Sequence, residues 1–311
     1  MKICVTGNLG YIGPCVMEHL RTVYPTAALV GLDTGFFAGC LLDPLHYPEY
    51  LPDLQYFADV RALPGGVFDG VDAVIHLAAL SNDPLGNRFS EPTSEINHQA
   101  TIEVARQAKR AGARSFVLAS SCSVYGLSGD AARSERSEVN PLTAYAKSKV
   151  RAEADLAELA CESFVVTCLR FATACGASPR LRLDLVLNDF VASAVSTGEI
   201  RILSDGTPWR PLIAVRDMAR AAEWAALCRT AVDGGRFLIV NVGSDDWNWQ
   251  VRELATAVAA AFPGTRVSVN SDAQPDARSY RVDFGLFRSL AANHQPQMHA
   301  GRRDRRTEDG A

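Results

Sequence analysis

Three residues with acid–base or cationic side chains have a spacing that suits proton transfer. Tyr145 and Lys149 are four residues apart in a helical stretch, so they lie on one face of the helix. Ser121 follows an apolar strand, and the carboxyl end of a parallel strand is where ligands bind. A free tyrosine has a pKa of about 10, so a phenolate near neutral pH needs about 4 kcal/mol of stabilisation, which a neighbouring ammonium can supply. The pattern predicts a proton-transfer site.

A second group of residues has the spacing of a dinucleotide-binding loop. Gly7, Gly10 and Gly13 follow a strand and open a helix, whose N-terminus offers N–H groups and a positive dipole end to a pyrophosphate. Asp33 stands 20 residues after Gly13, at the end of the second predicted strand. A carboxylate there accepts ribose hydroxyls and repels a 2′-phosphate. Because no lysine or arginine follows Asp33 closely, the pattern predicts NAD as the cofactor, although Asp33 could also be an ordinary turn residue.

The elements that position these residues follow from the apolar pattern. In the first half of the chain, short apolar runs alternate with helical stretches, which is typical of a parallel sheet covered on both faces. The predicted strands are 2–6, 28–33, 73–77, 115–119 and 164–169, and the predicted helices are 13–22, 93–111 and 145–160. The sequence therefore predicts a doubly wound α/β fold of the Rossmann type.

The pattern changes after Arg170. The stretch 173–182 is irregular and rich in small residues, and it is followed by predicted helices at 186–196 and 251–261 and a predicted strand at 237–242. We therefore expect an NAD-binding domain at 1–172 with a returning segment near 211–243. A smaller, interleaved α/β substrate-binding lobe is expected at 173–311.

Composition excludes several classes of protein. The 311 residues carry a net charge of −4 from 31 basic and 35 acidic side chains, so nothing indicates a nucleic-acid partner. The eight cysteines are scattered without a C-x-x-C pair, which predicts reduced thiols and no metal site. No apolar run approaches the roughly 20 residues needed to span a membrane. Since the first predicted strand begins at residue 2, we expect no signal peptide and a cytoplasmic location.

Taken together, the motifs resemble those of extended short-chain dehydrogenases/reductases, in the NAD-dependent epimerase/dehydratase family that acts on nucleotide sugars. The resemblance covers roughly residues 1–290. It rests on the three glycines, Asp33, Asp59, His76-Leu77-Ala78-Ala79, Asn97, the segment 120–126, Tyr145 with Lys149, and the segment 210–219.

The resemblance implies roles for the matched residues. Ser121 would hydrogen-bond the sugar 4-hydroxyl, Tyr145 would be the general base and acid, and Lys149 would hold the nicotinamide ribose. NAD would be contacted by Gly7, Gly10, Tyr11, Ile12, Gly13, Asp33, Asp59, Val60, Leu77, Ala78, Ala79, Asn97, Tyr145 and Lys149. The substrate, a nucleotide-diphosphate sugar, would be contacted by Ser81, Ser121, Ser123, Asn188, Arg210 and Arg278. Asp59 as a cap or turn residue, and the two arginines in surface salt bridges, stay open as alternatives.

The residues after Ser121 favour one reaction. The family's 4,6-dehydratases use an Asp-Glu pair where Cys122 and Ser123 stand, and its sugar-acid decarboxylases usually have glutamate in place of Ser123. The resemblance therefore implies an epimerase, acting at C4 through a transient 4-keto sugar. An NADH-dependent 4-keto-sugar reductase and a non-catalytic NAD-sensing or scaffold protein are the alternatives. Family members usually pair through the helices predicted at 93–111 and 145–160, so a homodimer is expected.

Overall fold

The strands of the computed structural model form three sheets within the residues that it describes, which are 1–37, 39–42, 47–129, 131–270 and 278–298. In chain order the strands are β1 (Lys2–Thr6), β2 (Ala28–Asp33), β3 (Leu54–Phe57), β4 (Ala73–His76), β5 (Ser115–Ser121), β6 (Val165–Phe171), β7 (Thr173–Cys175), β8 (Glu199–Ile202), β9 (Trp209–Ala214), β10 (Phe237–Val242), β11 (Asn248–Gln250) and β12 (Arg266–Val269).

The helices connect these strands and cover the sheets. In chain order they are α1 (Gly13–Val23), α2 (Asp83–Arg88), α3 (Ser90–Ser94), α4 (Thr101–Arg110), α5 (Ala144–Leu159), α6 (Val186–Thr197), α7 (Val215–Glu223), α8 (Val251–Ala261) and α9 (Gly285–Leu290). A π-helical stretch joins α3 to α4, and another, Trp224–Cys228, continues α7. Over the ranges given above, none of the helices is both long and apolar enough to pass through a membrane.

The largest sheet has seven parallel strands in the order β10-β6-β5-β4-β1-β2-β3. Its central strands are buried on both faces, because α1 and α7 cover one face and α4 and α5 cover the other. Val5, Leu20 and Met218 belong to the first core, and Val74 and Leu156 to the second. The strand order reverses between β1 and β4, which is the switch point where doubly wound folds bind ligands. The predicted fold class is confirmed.

A smaller set of elements follows β6. The three-stranded sheet β11-β9-β7 and the two-stranded sheet β12-β8 pack with α6 and α8 around Phe190, Ile200 and Leu254. The chain then returns to the large sheet through β10, which pairs with β6. The domain limit expected at residue 172 falls between β6 and β7, and it stays a prediction.

Most predicted elements are confirmed, with ends displaced by a few residues. The strands predicted at 2–6, 28–33 and 237–242 and the helix at 251–261 have the predicted limits. The expectation of an irregular segment at 173–182 is wrong for Thr173–Cys175, which forms β7. A three-residue strand is too short to show an apolar period, and its partner β9 comes about 35 residues later in the chain, so only the tertiary fold reveals the pairing.

The buried thiols make stability sensitive to alkaline pH. All eight cysteines are free, and burial raises the pKa of Cys4 to about 12. The unfolded chain releases this proton near the ordinary thiol pKa of about 8.5, so between the two values the unfolded state binds fewer protons and stability falls as pH rises. We expect Cys4→Ala to make the free energy of unfolding fall less steeply with pH, by about 1.4 kcal/mol per pH unit. Urea unfolding from about pH 9 to about pH 11 would measure this slope.

The control for this measurement is Cys161→Ala. Cys161 is partly exposed, and the hydroxyl of Ser163 holds its pKa below the usual range, so its ionisation does not destabilise the folded state as pH rises. The control should leave the slope unchanged. Equal slopes in wild type and Cys4→Ala would contradict the prediction.

Candidate active site

The candidate site lies at the carboxyl ends of β1, β4 and β5. Gly7 belongs to the loop between β1 and α1, Gly13 is the first residue of α1, and Ser121 is the last residue of β5. Tyr145 and Lys149 lie in the first turns of α5, whose start is capped by the preceding threonine. The parallel sheet therefore brings both groups of residues singled out in the sequence to the same edge.

The loop after β1 and the start of α1 have no room for side chains at two glycines. Gly7 has a φ of +74°, and a Cβ on it would lie 2.6 Å from the backbone nitrogen of Ala78. A Cβ on Gly13 would overlap the backbone of Asn8. The start of α1 has no side-chain cap at Ile12 and has Pro14 in its first turn, so side chains leave the N–H groups of the helix start available. This cradle fits the pyrophosphate of a dinucleotide.

Asp33 is held at the end of β2 with its carboxylate against this loop. One oxygen accepts a hydrogen bond from the Leu9 N–H at 3.1 Å and the other from the Gly35 N–H at 2.8 Å. Burial raises the pKa of Asp33, and these backbone hydrogen bonds and the charge of Arg180 oppose the rise. The position suits a carboxylate that accepts ribose hydroxyls.

Arg180 belongs to a run, 179–182, that the sequence suggested as an edge of the sugar pocket, but its placement near Asp33 was not predicted. Its side chain is buried, donates to the Phe37 carbonyl at 2.7 Å and forms an ion pair with Glu49. The segment after β2 is thereby attached to the segment after β7. The sequence shows no cation near Asp33, because Arg180 is almost 150 positions away. Since Glu49 balances its charge, Arg180 is not a ready partner for a 2′-phosphate.

Asp59, Val60 and Asn97 each have protein partners. Asp59 forms an ion pair with Arg61 at 2.8 Å, and this guanidinium holds the pKa of Asp59 below its usual range. Val60 is buried in the core. The Asn97 amide accepts from the Leu80 N–H at 2.8 Å and donates to the Leu80 carbonyl at 2.9 Å. Asn97 thus orients the loop after β4, which contains Leu77, Ala78 and Ala79.

Lys149 is a buried cation beside a phenol. It is 1% exposed, and its Nζ lies 5.6 Å from the centroid of the Tyr145 ring. Burial lowers the pKa of Lys149 to about 8, and the negative charge of Glu153 opposes this shift. A cation in this place lowers the free energy of a phenolate relative to the phenol. The placement of Lys149 therefore suits a tyrosine that exchanges a proton with a ligand.

The residues after β5 present hydroxyl groups and no carboxylate. The Ser121 hydroxyl accepts a hydrogen bond from the Ser123 N–H at 3.1 Å. The Ser123 hydroxyl is buried, and no hydrogen-bond partner for it exists among the described residues. A buried polar group without a partner is costly, so this hydroxyl is suited to a ligand. The Cys122 thiol is buried and donates to the Arg170 carbonyl.

A buried ion pair behind the site is a second feature that the sequence did not reveal. Arg170 donates from Nε and Nη2 to the two oxygens of Glu153, at 3.0 and 2.7 Å. Glu153 also accepts from the Ser120 hydroxyl at 2.5 Å, and Arg170 donates to the Tyr125 hydroxyl at 3.1 Å. The pair joins α5, β5 and β6 next to Ser121. Glu153 stands one helical turn after Lys149, and this spacing was the available signal.

The segment after β7 is hydrogen-bonded to the glycine loop. The Tyr11 hydroxyl donates to the Gly176 carbonyl at 2.7 Å, and the Asn188 amide donates to the Tyr11 hydroxyl at 2.9 Å. Asn188 also donates to the Arg182 carbonyl at 2.8 Å. Tyr11 and Asn188 thus link the glycine loop to the smaller set of elements.

Arg182 lies at the edge of the site with polar neighbours. It donates to the Ser81 hydroxyl at 2.8 Å and forms an ion pair with Asp184 at 2.6 Å. Burial alone would lower the pKa of Arg182, but Asp184 raises it, with smaller contributions from the charges of Tyr145 and Tyr11. The cation therefore lies within electrostatic reach of the candidate catalytic tyrosine.

Arg210 and Arg278 come together from distant parts of the chain. The Arg210 guanidinium donates to the Arg278 carbonyl and, at 2.8 Å, to the Trp209 carbonyl. This contact joins the Arg210 side chain to the backbone of Arg278, and a guanidinium offers forked donors of the kind that bind phosphate oxygens.

Comparisons with known proteins connect this geometry to a family. The model of the NAD dependent epimerase/dehydratase family matches residues 3–243. The chain is 29% identical over 261 residues to an uncharacterised UDP-glucose epimerase of Bacillus subtilis, YtcB, covering 78% of this chain and 77% of that protein. It is 27% identical over 279 residues to a UDP-glucose 4-epimerase of Streptomyces lividans, covering 83% and 80%.

A solved structure of an NAD-binding protein is also similar to this chain. MoeE5, in complex with UDP-glucuronic acid and NAD, has a TM-score of 0.80 and 27% identity, and the match covers 96% of this chain and 95% of MoeE5. The family match spans far more than half of the chain, which confirms the resemblance read from the motifs and confirms NAD as the cofactor. The chain therefore belongs to the NAD-dependent epimerase/dehydratase family and is an NAD-dependent enzyme.

Proposed function

We propose that this enzyme is a nucleotide-sugar epimerase that inverts the C4 hydroxyl through a transient 4-keto sugar. The observation that carries the proposal is the buried Lys149 cation beside Tyr145, next to the hydroxyl-bearing end of β5. The similarity to the UDP-glucose 4-epimerase of Streptomyces lividans supports the choice of reaction. A non-catalytic NAD-binding protein would not need this combination of side chains.

Each residue of the trio has a task in such a reaction. Ser121 hydrogen-bonds the sugar 4-hydroxyl and orients it toward Tyr145. Tyr145 removes the hydroxyl proton as the carbonyl forms and returns it when the carbonyl is reduced from the other face. Lys149 stabilises the phenolate of Tyr145 and hydrogen-bonds the nicotinamide ribose. NAD, when bound, supplies the group that takes hydride from C4 and gives it back.

Dehydration is disfavoured by the residues that follow Ser121. Removal of water across C5 and C6 needs an acid and a base, which the family's 4,6-dehydratases have at the two positions after the residue that matches Ser121. Burial raises the pKa of the Cys122 thiol far above its usual range, and Ser123 offers only a hydroxyl. The chain is 27% identical to a dTDP-glucose 4,6-dehydratase of Streptomyces griseus, so it shares this ancestry without the acid–base pair.

The substrate residues remain proposals at this level. We propose that Arg210 and Arg278 bind the diphosphate and that Ser81 and Ser123 contact the sugar. The buried Ser123 hydroxyl, which has no hydrogen-bond partner among the described residues, and the contact of Ser81 with Arg182 support this proposal. Asn188 is less suited to bind the substrate, because its amide already makes hydrogen bonds to Tyr11, Gly176 and Arg182. A homodimer through the helices of 93–111 and 145–160, and a cytoplasmic location, also stay predictions.

The test is turnover of nucleotide sugars without added cofactor. Purified enzyme would be incubated with UDP-, dTDP-, GDP- and CDP-linked hexoses and uronic acids, and NMR would identify products of unchanged mass. We expect a C4 epimer to accumulate catalytically from one of them. Consumption of NADH with a 4-keto sugar, and no epimer, would instead establish the reductase alternative. Retained NAD with neither activity would contradict both enzymatic readings for these substrates.

A further inference from the structure

We propose that the chain binds a divalent metal ion of the Zn²⁺ type through Glu223, Cys228 and His294. Glu223 is the last residue of α7, Cys228 ends the π-helical stretch that continues α7, and His294 lies in the short helical turn 292–294. α1 runs from the candidate active site toward the opposite edge of the sheet, and the later part of α1 contacts this cluster. The proposed site is thus separate from the catalytic residues.

The three ligand atoms already converge. One carboxylate oxygen of Glu223, the Cys228 Sγ and the His294 Nε2 all lie within 4.8 Å of one another. His294 Nε2 is 3.5 Å from Glu223 Oε2 and 3.9 Å from Cys228 Sγ. Around a tetrahedral zinc ion, with bonds of about 2.0 Å to nitrogen and oxygen and about 2.3 Å to sulfur, such atoms are about 3.3 to 3.6 Å apart. The two His294 distances are thus within about 0.4 Å of the values for a tetrahedral zinc site.

The backbone brings the first two ligands to one side of their helix. Glu223 and Cys228 are five residues apart, and the Arg229 N–H bonds to the Trp224 carbonyl with the same spacing of five. In a π-helix this spacing corresponds to about one turn. Single π-helical turns within α-helices are frequent at functional sites. An ordinary α-helix would place residues five apart on different faces.

The Glu223 carboxylate is oriented by hydrogen bonds from neighbouring side chains, as metal-binding carboxylates usually are. Glu223 is buried, with 8% of its side chain exposed. Its Oε1 accepts from the Tyr24 hydroxyl at 2.9 Å, and its Oε2 is 2.7 Å from His19 Nε2. Outer hydrogen bonds of this type orient ligands toward a metal. Two residues of α1 thus support a ligand carried by α7.

The donor set selects the class of ion. A thiolate, an imidazole and a carboxylate suit Zn²⁺, whereas Mg²⁺ and Ca²⁺ prefer oxygen ligands alone. On binding, the Cys228 proton leaves to solvent, and the thiolate and the Glu223 carboxylate together balance the charge of the ion. Cys228 is exposed, so an ion can enter, and water fills the fourth position. The scattered cysteines predicted no metal site, because only the fold brings positions 223, 228 and 294 together.

The test uses Co²⁺ as a spectroscopic probe for the full chain, purified without a histidine tag and freed of metal with a chelator. We expect one equivalent to bind with a thiolate-to-cobalt charge-transfer band in the near ultraviolet, and Zn²⁺ to displace it. Cys228→Ser should abolish the band and weaken Zn²⁺ binding at least about tenfold. Cys161→Ser, at another accessible cysteine that is not one of the proposed ligands, should behave as wild type.

Thermal unfolding gives a second readout, which does not depend on the cobalt absorption band. Zn²⁺ should raise the Tm of wild type and of Cys161→Ser by several degrees, and this shift should vanish in Cys228→Ser. Because Cys228 is exposed, its replacement is compatible with folding, which circular dichroism would check. Wild type that binds no Co²⁺ or Zn²⁺, or a charge-transfer band that survives Cys228→Ser, would overturn the proposal.

Discussion

Tyr145→Phe is expected to lower kcat for sugar epimerisation by roughly 10²- to 10⁴-fold. The substitution removes only the phenolic oxygen, which is the atom proposed to exchange a proton with the sugar 4-hydroxyl. The ring stays beside Lys149, where it packs 5.6 Å from the cation. The loss should therefore appear in kcat, with little change in the amount of NAD that copurifies with the enzyme.

Tyr56→Phe is a matched control for this experiment. Tyr56 lies in β3 at an edge of the large sheet and is only partly buried, so removal of its hydroxyl should leave kcat and bound NAD unchanged. Rates would be measured by NMR on the substrate identified in the panel, and NAD by its release on acid denaturation. A kcat within about tenfold of wild type would show that Tyr145 is not the proton-transfer group.

The sequence predicts those parts of the site that depend on local spacing. Gly7, Gly10 and Gly13 span one short loop and the first residue of the helix after it, and Tyr145 and Lys149 stand within one helix, so their geometry follows from the type of element. The alternation of apolar strands and helices likewise predicts the parallel sheet, which places both groups at the same edge.

Contacts between segments that are distant in the chain cannot be predicted from local spacing. Arg180 reaches Glu49 and the neighbourhood of Asp33 only because the segment after β7 crosses the end of β2. The pairing of the small strands after β6 is not predicted either, because each strand has three to six residues and its partner lies far along the chain. Pairing and ion-pair formation at such separations depend on tertiary packing.

The buried pair behind the active site leads to the second large effect. Glu153→Gln is expected to lower the free energy of unfolding by about 3–5 kcal/mol, because it leaves the Arg170 cation buried without a compensating charge. Both side chains are at most 6% exposed, so water cannot replace the lost partner. Urea unfolding monitored by fluorescence would measure the change. Glu199→Gln, which breaks the exposed pair with Arg201, should leave stability nearly unchanged.

A double variant distinguishes the loss of a charge from the loss of a contact. Replacing both partners, as Glu153→Gln with Arg170→Met, should recover much of the stability lost in Glu153→Gln, because no unpaired charge remains buried. A double variant as unstable as the single one would contradict this electrostatic explanation. Glu153 also raises the pKa of Lys149, so its neutralisation should shift loss of the ammonium, and the alkaline decline in kcat, to lower pH. A merely structural role for Glu153 would change stability and leave that pH profile in place.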